Sequence, residues 1–260
     1  MSDTQRPRAR GIDRVIDVLE HLREVRQPIG IGDLARAIGA PRSSIYEIVE
    51  RLTASGLLAL DEQNAVYFGP SVYFYADAYL ASHPLFRHGR DEAVRLSKVT
   101  GETTQICMLL GSKYTVAFMQ PGSSLFRIIS EIGVLVPIPW TASGRLLLAG
   151  MSDESIRALI PHEDFVLPDG RTLEVADFLA DVAKARLTNR TMTVGLSDPY
   201  TACLAAAILD EKQHAVATIC FMVPAGTPME RKELLLDELT TAARNVSRQL
   251  TNNAVGLVAR

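Results

Sequence analysis

Residues 31–68 constrain the fold most, because they read as two short helices around a tight turn followed by a two-stranded ribbon. Residues 32–38 are helical by pattern, with Leu34 and Ile38 four apart on one face. Gly39 stands just beyond, where a left-handed C-terminal cap is wanted. Pro41 fits the first position of a second helix, since its missing N–H would be unbonded there anyway. Ile45, Ile48, Val49 and Leu52 give that helix an apolar stripe, and Gly56 ends it. Its opposite face carries Arg42, Ser43, Tyr46, Glu47 and Glu50. A short helix, a turn and an amphipathic helix with hydrogen-bonding side chains in its first turns is the geometry that enters a DNA major groove. A winged helix-turn-helix is predicted.

The next segment extends that reading. Residues 57–60 and 65–68 are strand-like, joined by the turn-forming run Asp61, Glu62, Gln63 and Asn64. This pair is the expected wing, with Asn64 at its tip placed for a minor-groove or phosphate contact. Upstream, Val15, Ile16, Val18, Leu19 and Leu22 form the apolar side of an opening helix. The expected DNA-contacting residues are Arg10, Arg42, Ser43, Ser44, Tyr46, Glu47 and Asn64. Helix-turn-helix shapes also serve as structural parts of enzymes and protein-interaction modules, so the shape alone leaves that alternative open.

Charge adds a constraint of its own. Residues 1–70 hold nine arginines and no lysine against ten acids, so the head is near neutral. Phosphate neutralisation supplies most sequence-independent DNA affinity, and a binder is usually basic. The cations are clustered, however. Arg6, Arg8 and Arg10 form an N-terminal arm, Arg42 opens the second helix, and a dimer would double these contacts. Few phosphate contacts per subunit and a modest salt dependence are expected.

At 260 residues the chain is long enough for two domains with separate cores. The N-terminus lacks the apolar core of a signal peptide, and no run approaches the length of a membrane span. Three widely spaced cysteines, Cys107, Cys203 and Cys220, argue against a disulfide framework and for a reducing cytoplasm.

Gly69 and Pro70 end the first module. Pro70 opens an expected linker helix, residues 70–88, carrying Tyr73, Phe74, Tyr75 and Tyr79. Four aromatics are too many for a solvated linker and need a partner surface, for which a second copy of the chain is the favoured one. His83 and Pro84 should end or kink it. The second domain, residues 89–251, alternates helices and strands, with a short tail at 252–260. A helix is expected at 92–99, a hairpin from 103–110 and 114–119, and a strand at about 125–132. Helices follow at 145–151, 153–160 and 173–187. A second hairpin is read from 202–209 and 215–223, and a final helix over 228–250. The fold class is therefore α+β: a winged helix-turn-helix, a linker helix, and an α/β effector domain with an antiparallel sheet of the GAF/profilin-like kind.

Four segments resemble the IclR family of bacterial transcriptional regulators. Residues 11–19 are similar to its opening helix, and 37–44 to its helix-turn-helix core. Residues 136–145, Val-Pro-Ile-Pro-Trp-Thr-Ala-Ser-Gly-Arg, resemble its effector-pocket signature, and 202–208 its pocket-floor strand. The resemblance implies a dimer or dimer of dimers that binds a palindromic operator, and a small organic effector in the C-terminal domain. The positions it implies for the effector are Leu125, Ile128, Val136, Trp140, Ala142, Ser143, Cys203, Cys220 and Met222. Thr141 to Gly144 would open a helix whose free N–H groups suit a carboxylate or other electronegative group. An alternative remains that Leu125, Ile128, Val136 and Met222 are core alone.

Two departures from the family pattern matter. Relatives that bind small polar acids carry an acid and serines near the positions of Thr193, Cys220 and Met222, and this chain does not, although Asp198 could approach. A less polar, aromatic or longer-chain effector is expected. Glu47 stands where the family commonly has arginine; a glutamate surrenders a phosphate or guanine contact but can accept from a cytosine amino group. Enzymatic readings find no support. Ser143 is not in a Gly-x-Ser-x-Gly elbow, and no phosphate loop or dinucleotide fingerprint occurs. The histidines lack zinc spacing, and His162, Glu163 and Asp164 read as a solvated loop. No catalytic residue, metal or cofactor is expected. The alternative functions are a redox sensor using Cys203 and Cys220, or a small-molecule-binding module without specific DNA binding. Apolar surroundings without a cation argue against thiol reactivity.

Overall fold

Helix α1 (Arg10–Val25), strand β1 (Ile29–Gly30), α2 (Ile31–Ala37), α3 (Arg42–Ala54), β2 (Leu58–Leu60), β3 (Ala65–Phe68) and α4 (Ser71–Ser82) follow in order along the first part of the chain. The computed structural model describes residues 10–124 and 131–258. Gly39 has φ +66° between α2 and α3, the left-handed turn its position calls for. Pro41 is the residue flanking α3 rather than its first helical position. Its φ of −58° and ψ of 132° are extended, and its carbonyl accepts the Ile45 N–H at 3.2 Å. Val18, Leu22, Leu34, Ile45, Val49, Leu58 and Val66 close one small core. The stripe read from the sequence supplies most of it. Strand β3 lies between β2 and β1, pairing Leu58 with Phe68 and Ile29 with Val66. Strand β1 was not expected; two residues carry no period to read.

The chain divides into two units between Ser82 and His83. The linker helix expected over 70–88, with an end or kink at His83 and Pro84, is broken there into two helices. His83 is extended, with φ −103° and ψ 104°, and Pro84 begins α5 (Pro84–Thr100). Proline disfavours helical backbone in the residue before it, and its own fixed φ suits a first turn.

The second unit continues with β4 (Thr104–Leu110), β5 (Lys113–Gln120), β6 (Leu135–Pro137), α6 (Ala142–Leu147), α7 (Asp153–Leu159), α8 (Val175–Thr188), β7 (Arg190–Val194), β8 (Thr201–Leu209), β9 (Ala215–Pro224) and α9 (Met229–Val258). The strands form one antiparallel sheet in the order β6-β5-β4-β9-β8-β7. Successive side chains point to opposite faces, and here the two faces have separate cores. Ile106, Leu204, Ile208, Ile219 and Phe221 pack with Leu85 and Leu96 of α5 and Leu235, Leu239 and Val246 of α9. Cys107, Tyr114, Cys203, Ala205 and Cys220 pack with α6, α7 and α8 through Leu146, Ile156, Phe178 and Val182. The alanines of β8 leave room for helices to approach from both sides.

Three local expectations are corrected. Of the strand expected at 125–132, residues 125–130 lie outside the described residues, and Ile132 stands in an isolated bridge to Val116 rather than in a strand. The strand in this part of the chain is β6, paired with β5. The helix expected at 145–151 is α6, which starts at Ala142 and ends at Leu147. Edge strand β7 was missed altogether. Among the described residues, no helix is long and apolar enough to cross a membrane.

Candidate functional site

On α3, Arg42, Ser43, Tyr46 and Glu47 are exposed, whereas Ile45 and Val49 are buried in the core. Tyr46 is 54 % exposed. The Arg42 guanidinium lies over Gly32, where a Cβ would collide with it, so glycine lets the side chain fold across the start of α2. Ser44 points elsewhere: its hydroxyl accepts a hydrogen bond from Arg14 Nη1 at 3.0 Å and ties α3 to α1. Glu47 holds Arg51 one turn later at 3.1 Å. Arg23 is likewise paired with Glu20, and Arg36 with Asp33. Three helix cations of the head are thus occupied by an acid of the same helix, while among the described residues no acid pairs with Arg42. Asn64 sits exposed at the wing tip with φ 58°, a conformation asparagine tolerates better than most residues. Asp61 Oδ1 accepts the N–H groups of Gln63 and Ala65 and sets that turn. Arg10 opens α1, but its side chain, like Arg6 and Arg8, lies outside the described residues.

Of the positions expected for the effector, Ala142, Ser143, Cys203 and Cys220 gather where α6 meets the sheet. Thr141 caps α6, its hydroxyl accepting the Gly144 N–H at 3.0 Å. A side chain at Gly144 would strike the Ile138 carbonyl oxygen, which is why glycine is needed there. Ala142 and Ser143 are fully buried. Ser143 Oγ accepts from Thr218 Oγ1 at 2.9 Å and lies within reach of Cys220. The Cys203 thiol lies near the backbone of Ala142 and Ser143, whose N–H groups favour its charged form. The helix start expected to receive a carboxylate therefore faces a thiol. Cys107 Sγ and Cys220 Sγ are 3.6 Å apart, so all three cysteines, distant in sequence, meet on one sheet face. Tyr114 closes that group on β5; burial, then the neighbouring thiols, pushes its phenol well above its ordinary range. The hydrogen bond with Cys220, reinforced by burial, holds the Cys203 thiol well above its usual value. For Cys220 the hydrogen bond with Cys107 leads, and burial adds to it.

A polar frame holds the rim. Arg145 is almost wholly buried, which lowers its pKa, yet its Nη1 donates to the Pro139 and Thr141 carbonyls at 3.0 and 2.9 Å. Its Nε reaches Asp181 at 3.2 Å, and its guanidinium carbon lies 5.1 Å from the Phe178 ring centre. Trp140 is half-buried, its indole N–H donating to the Asp164 carbonyl at 2.9 Å. Asp164 does not lie in a solvated loop, as the sequence had it, but is buried in a 3-10 turn and paired with Lys113 of β5. Val136, opposite Tyr114, packs against the same core. Met222 is opposite Cys203. Leu125 and Ile128 lie outside the described residues. Asp198, expected as a possible late arrival, instead accepts from the Thr201 hydroxyl and the Tyr200 N–H. Sequence reading missed Gln105, Cys107, Tyr114 and Thr218. Two-residue alternation along β4 and β9 was the available signal, but only the pairing of Gln105 with Cys220 tells which parity faces α6.

A winged helix-turn-helix joined to an antiparallel-sheet domain with an enclosed soft-lined face defines a DNA-binding regulator with an effector domain. The model of the bacterial transcriptional regulator IclR C-terminal domain matches residues 77–248, and that of the IclR helix-turn-helix domain matches residues 11–62. The chain belongs to the IclR family, whose members are transcriptional regulators rather than enzymes. It is 23% identical over 250 residues to the HTH-type transcriptional repressor AllR of Escherichia coli K12, covering 93% of this chain and 90% of the relative. Among solved structures, an IclR homolog of Microbacterium hydrocarbonoxydans complexed with 4-hydroxybenzoate superposes with TM-score 0.80 at 19% identity, over 92% of this chain and 98% of that one. An IclR transcriptional regulator of Silicibacter sp. TM1040 gives 0.79 at 20% identity, over 92% and 96%.

Proposed function

We propose that this chain is a cytoplasmic repressor of a catabolic operon. It binds a palindromic operator as a dimer, or as a dimer of dimers, and releases it when a small, relatively apolar or aromatic effector enters between α6 and the sheet. The carrying observation is chemical. The face beneath α6 is built of three thiols, Tyr114 and aliphatic side chains, and its hydroxyls Ser143 and Thr218 are bonded to each other. Such walls suit an apolar body better than a small polar acid. Arg42, Ser43, Tyr46 and Glu47 form the reading surface on α3, with Asn64 on the wing; Ser44 serves as a brace for α1 instead. A thiol-sensing reading draws on the 3.6 Å approach of Cys107 and Cys220. Burial and the raised thiol pKa values count against it, because the thiolate is the reactive form.

The test is an anisotropy titration of the full chain on DNA flanking its own gene, with and without aromatic compounds. Specific binding that one compound weakens supports the reading. Arg42→Ala should lower operator affinity about tenfold while effector affinity stays unchanged. Folded, dimeric protein with no specific DNA binding would favour a binding module of another kind.

A further inference from the structure

Gln105 is a buried amide on this face whose partners are weak. It is 1 % exposed and stands on β4 directly opposite Cys220 of β9. Its polar atoms have only sulfur for partners: Nε2 lies 4.0 Å from Met119 Sδ, and Oε1 accepts from Cys220 Sγ at 3.8 Å. A primary amide carries two N–H donors and a carbonyl with two lone pairs, while thiol and thioether sulfur are weak partners. Burying an amide without good hydrogen bonds is costly, and a core alone would place leucine or methionine there.

The charges around it narrow what could complete it. Among the described residues, the cations carried by α6 and by the strands of the sheet are all committed. Lys113 is held by Asp164, Arg145 by two carbonyls and Asp181, and Arg190 by Glu233 and Asp237. The nearby hydroxyls of Ser143 and Thr218 satisfy one another. A ligand carboxylate would therefore find no uncommitted cation on those elements, and a plain hydrocarbon would leave the amide as it is.

We infer that Gln105 recognises the effector, and that the group it receives is the neutral hydroxyl or carbonyl of an otherwise apolar, ring-sized molecule. This rests on the reading of the face beneath α6 as the effector site.

The experiment is calorimetric titration of the full chain with three molecules that share one ring: p-cresol, toluene and 4-methylbenzoate. The wild type should bind p-cresol at least tenfold more tightly than the other two. In Gln105→Met the preference for p-cresol over toluene should vanish or invert, with the melting temperature held or raised. A merely structural glutamine would leave that preference in place. Tighter binding of 4-methylbenzoate, an intact preference in Gln105→Met, or no saturable binding of p-cresol to the wild type would each overturn the inference. If Gln105→Met does not fold, Gln105→Leu, of similar size, makes the same comparison, and a wild type without the preference overturns the inference on its own. Ala142→Leu separates the two levels. If it blocks p-cresol while Gln105→Met keeps the preference, the site stands and the role of Gln105 falls. If p-cresol binds Ala142→Leu unchanged, the site itself is elsewhere.

Discussion

Glu47 acquires a meaning from its neighbour. As a lone acid on a recognition helix it repels phosphate, but here it pairs with Arg51 one turn away, so it also withholds a cation that would otherwise face DNA. The pair is exposed and worth little to stability. Glu47→Gln should thus leave the fold unchanged, strengthen DNA binding about three- to tenfold at low salt, and steepen the salt dependence by about one phosphate contact. Anisotropy at several salt concentrations measures both; an unchanged slope would mean Arg51 does not reach the backbone. The thiols make an opposite kind of prediction. Cys203 and Cys220 have native pKa values raised above the unfolded value of about 8.5. As pH rises past that value the unfolded chain loses protons first, so their contribution to stability is complete below about pH 8.5 and declines above it. Denaturant midpoints from pH 7 to 10 should fall accordingly, and a Cys203→Ala variant should show a smaller fall. Iodoacetamide at pH 8 should modify the native protein only as fast as it unfolds. Prompt labelling would revive the thiol-sensing reading.

Among the elements, α4 is the one that its own chain does not explain. It has no buried residue, and Tyr73 and Phe74, 71 % and 67 % exposed, stack edge to face with ring centres 5.7 Å apart. Apolar side chains lie all around the helix rather than on one stripe, unlike α1, whose Val18 and Leu22 face a core. An aromatic surface of this extent usually marks a protein interface. Replacing Tyr73 and Phe74 together by serine should weaken self-association by about 2–4 kcal/mol, or roughly 30- to 1,000-fold in the dimer dissociation constant. Sedimentation equilibrium would read this directly, while the thermal transition of each unit stays near the wild-type value. An unaltered dimer constant would place the interface elsewhere.

For the whole molecule, two units with separate cores set the terms of any response. An effector held beneath α6 can change operator affinity only by binding the DNA-competent arrangement and the alternative with different affinities. Among the described residues of the head, Arg23, Arg36 and Arg51 are paired within their own helices. Its salt dependence should accordingly be shallow, and specificity should rest on Arg42, Tyr46 and groove fit more than on charge. Reciprocity supplies a check within the operator titration. Whatever factor the effector takes from operator affinity, operator DNA must take from effector affinity.

The sequence alone carried the head, because its information is local. Leu34, Ile45, Val49 and Leu58 repeat at helix and strand periods, and Gly39 and Gly56 punctuate them at single positions. The hairpins of the sheet domain were legible for the same reason, as was the break at His83 and Pro84. Strands β1, β6 and β7 were not, since two to five residues at a sheet edge hold too short a pattern and exist only through their partners. The site divides the same way. Thr141 to Gly144 announce a helix start by residue type, but the thiol that lies near it, Cys203, comes from a distant strand. Only the strand register brings Cys107, Cys203 and Cys220 into contact and turns Gln105 toward them. Only packing buries Asp164 against Lys113. Periodicity along a chain sets which face of an element is apolar; which other element that face meets is a long-range choice, decided by how the whole sheet closes.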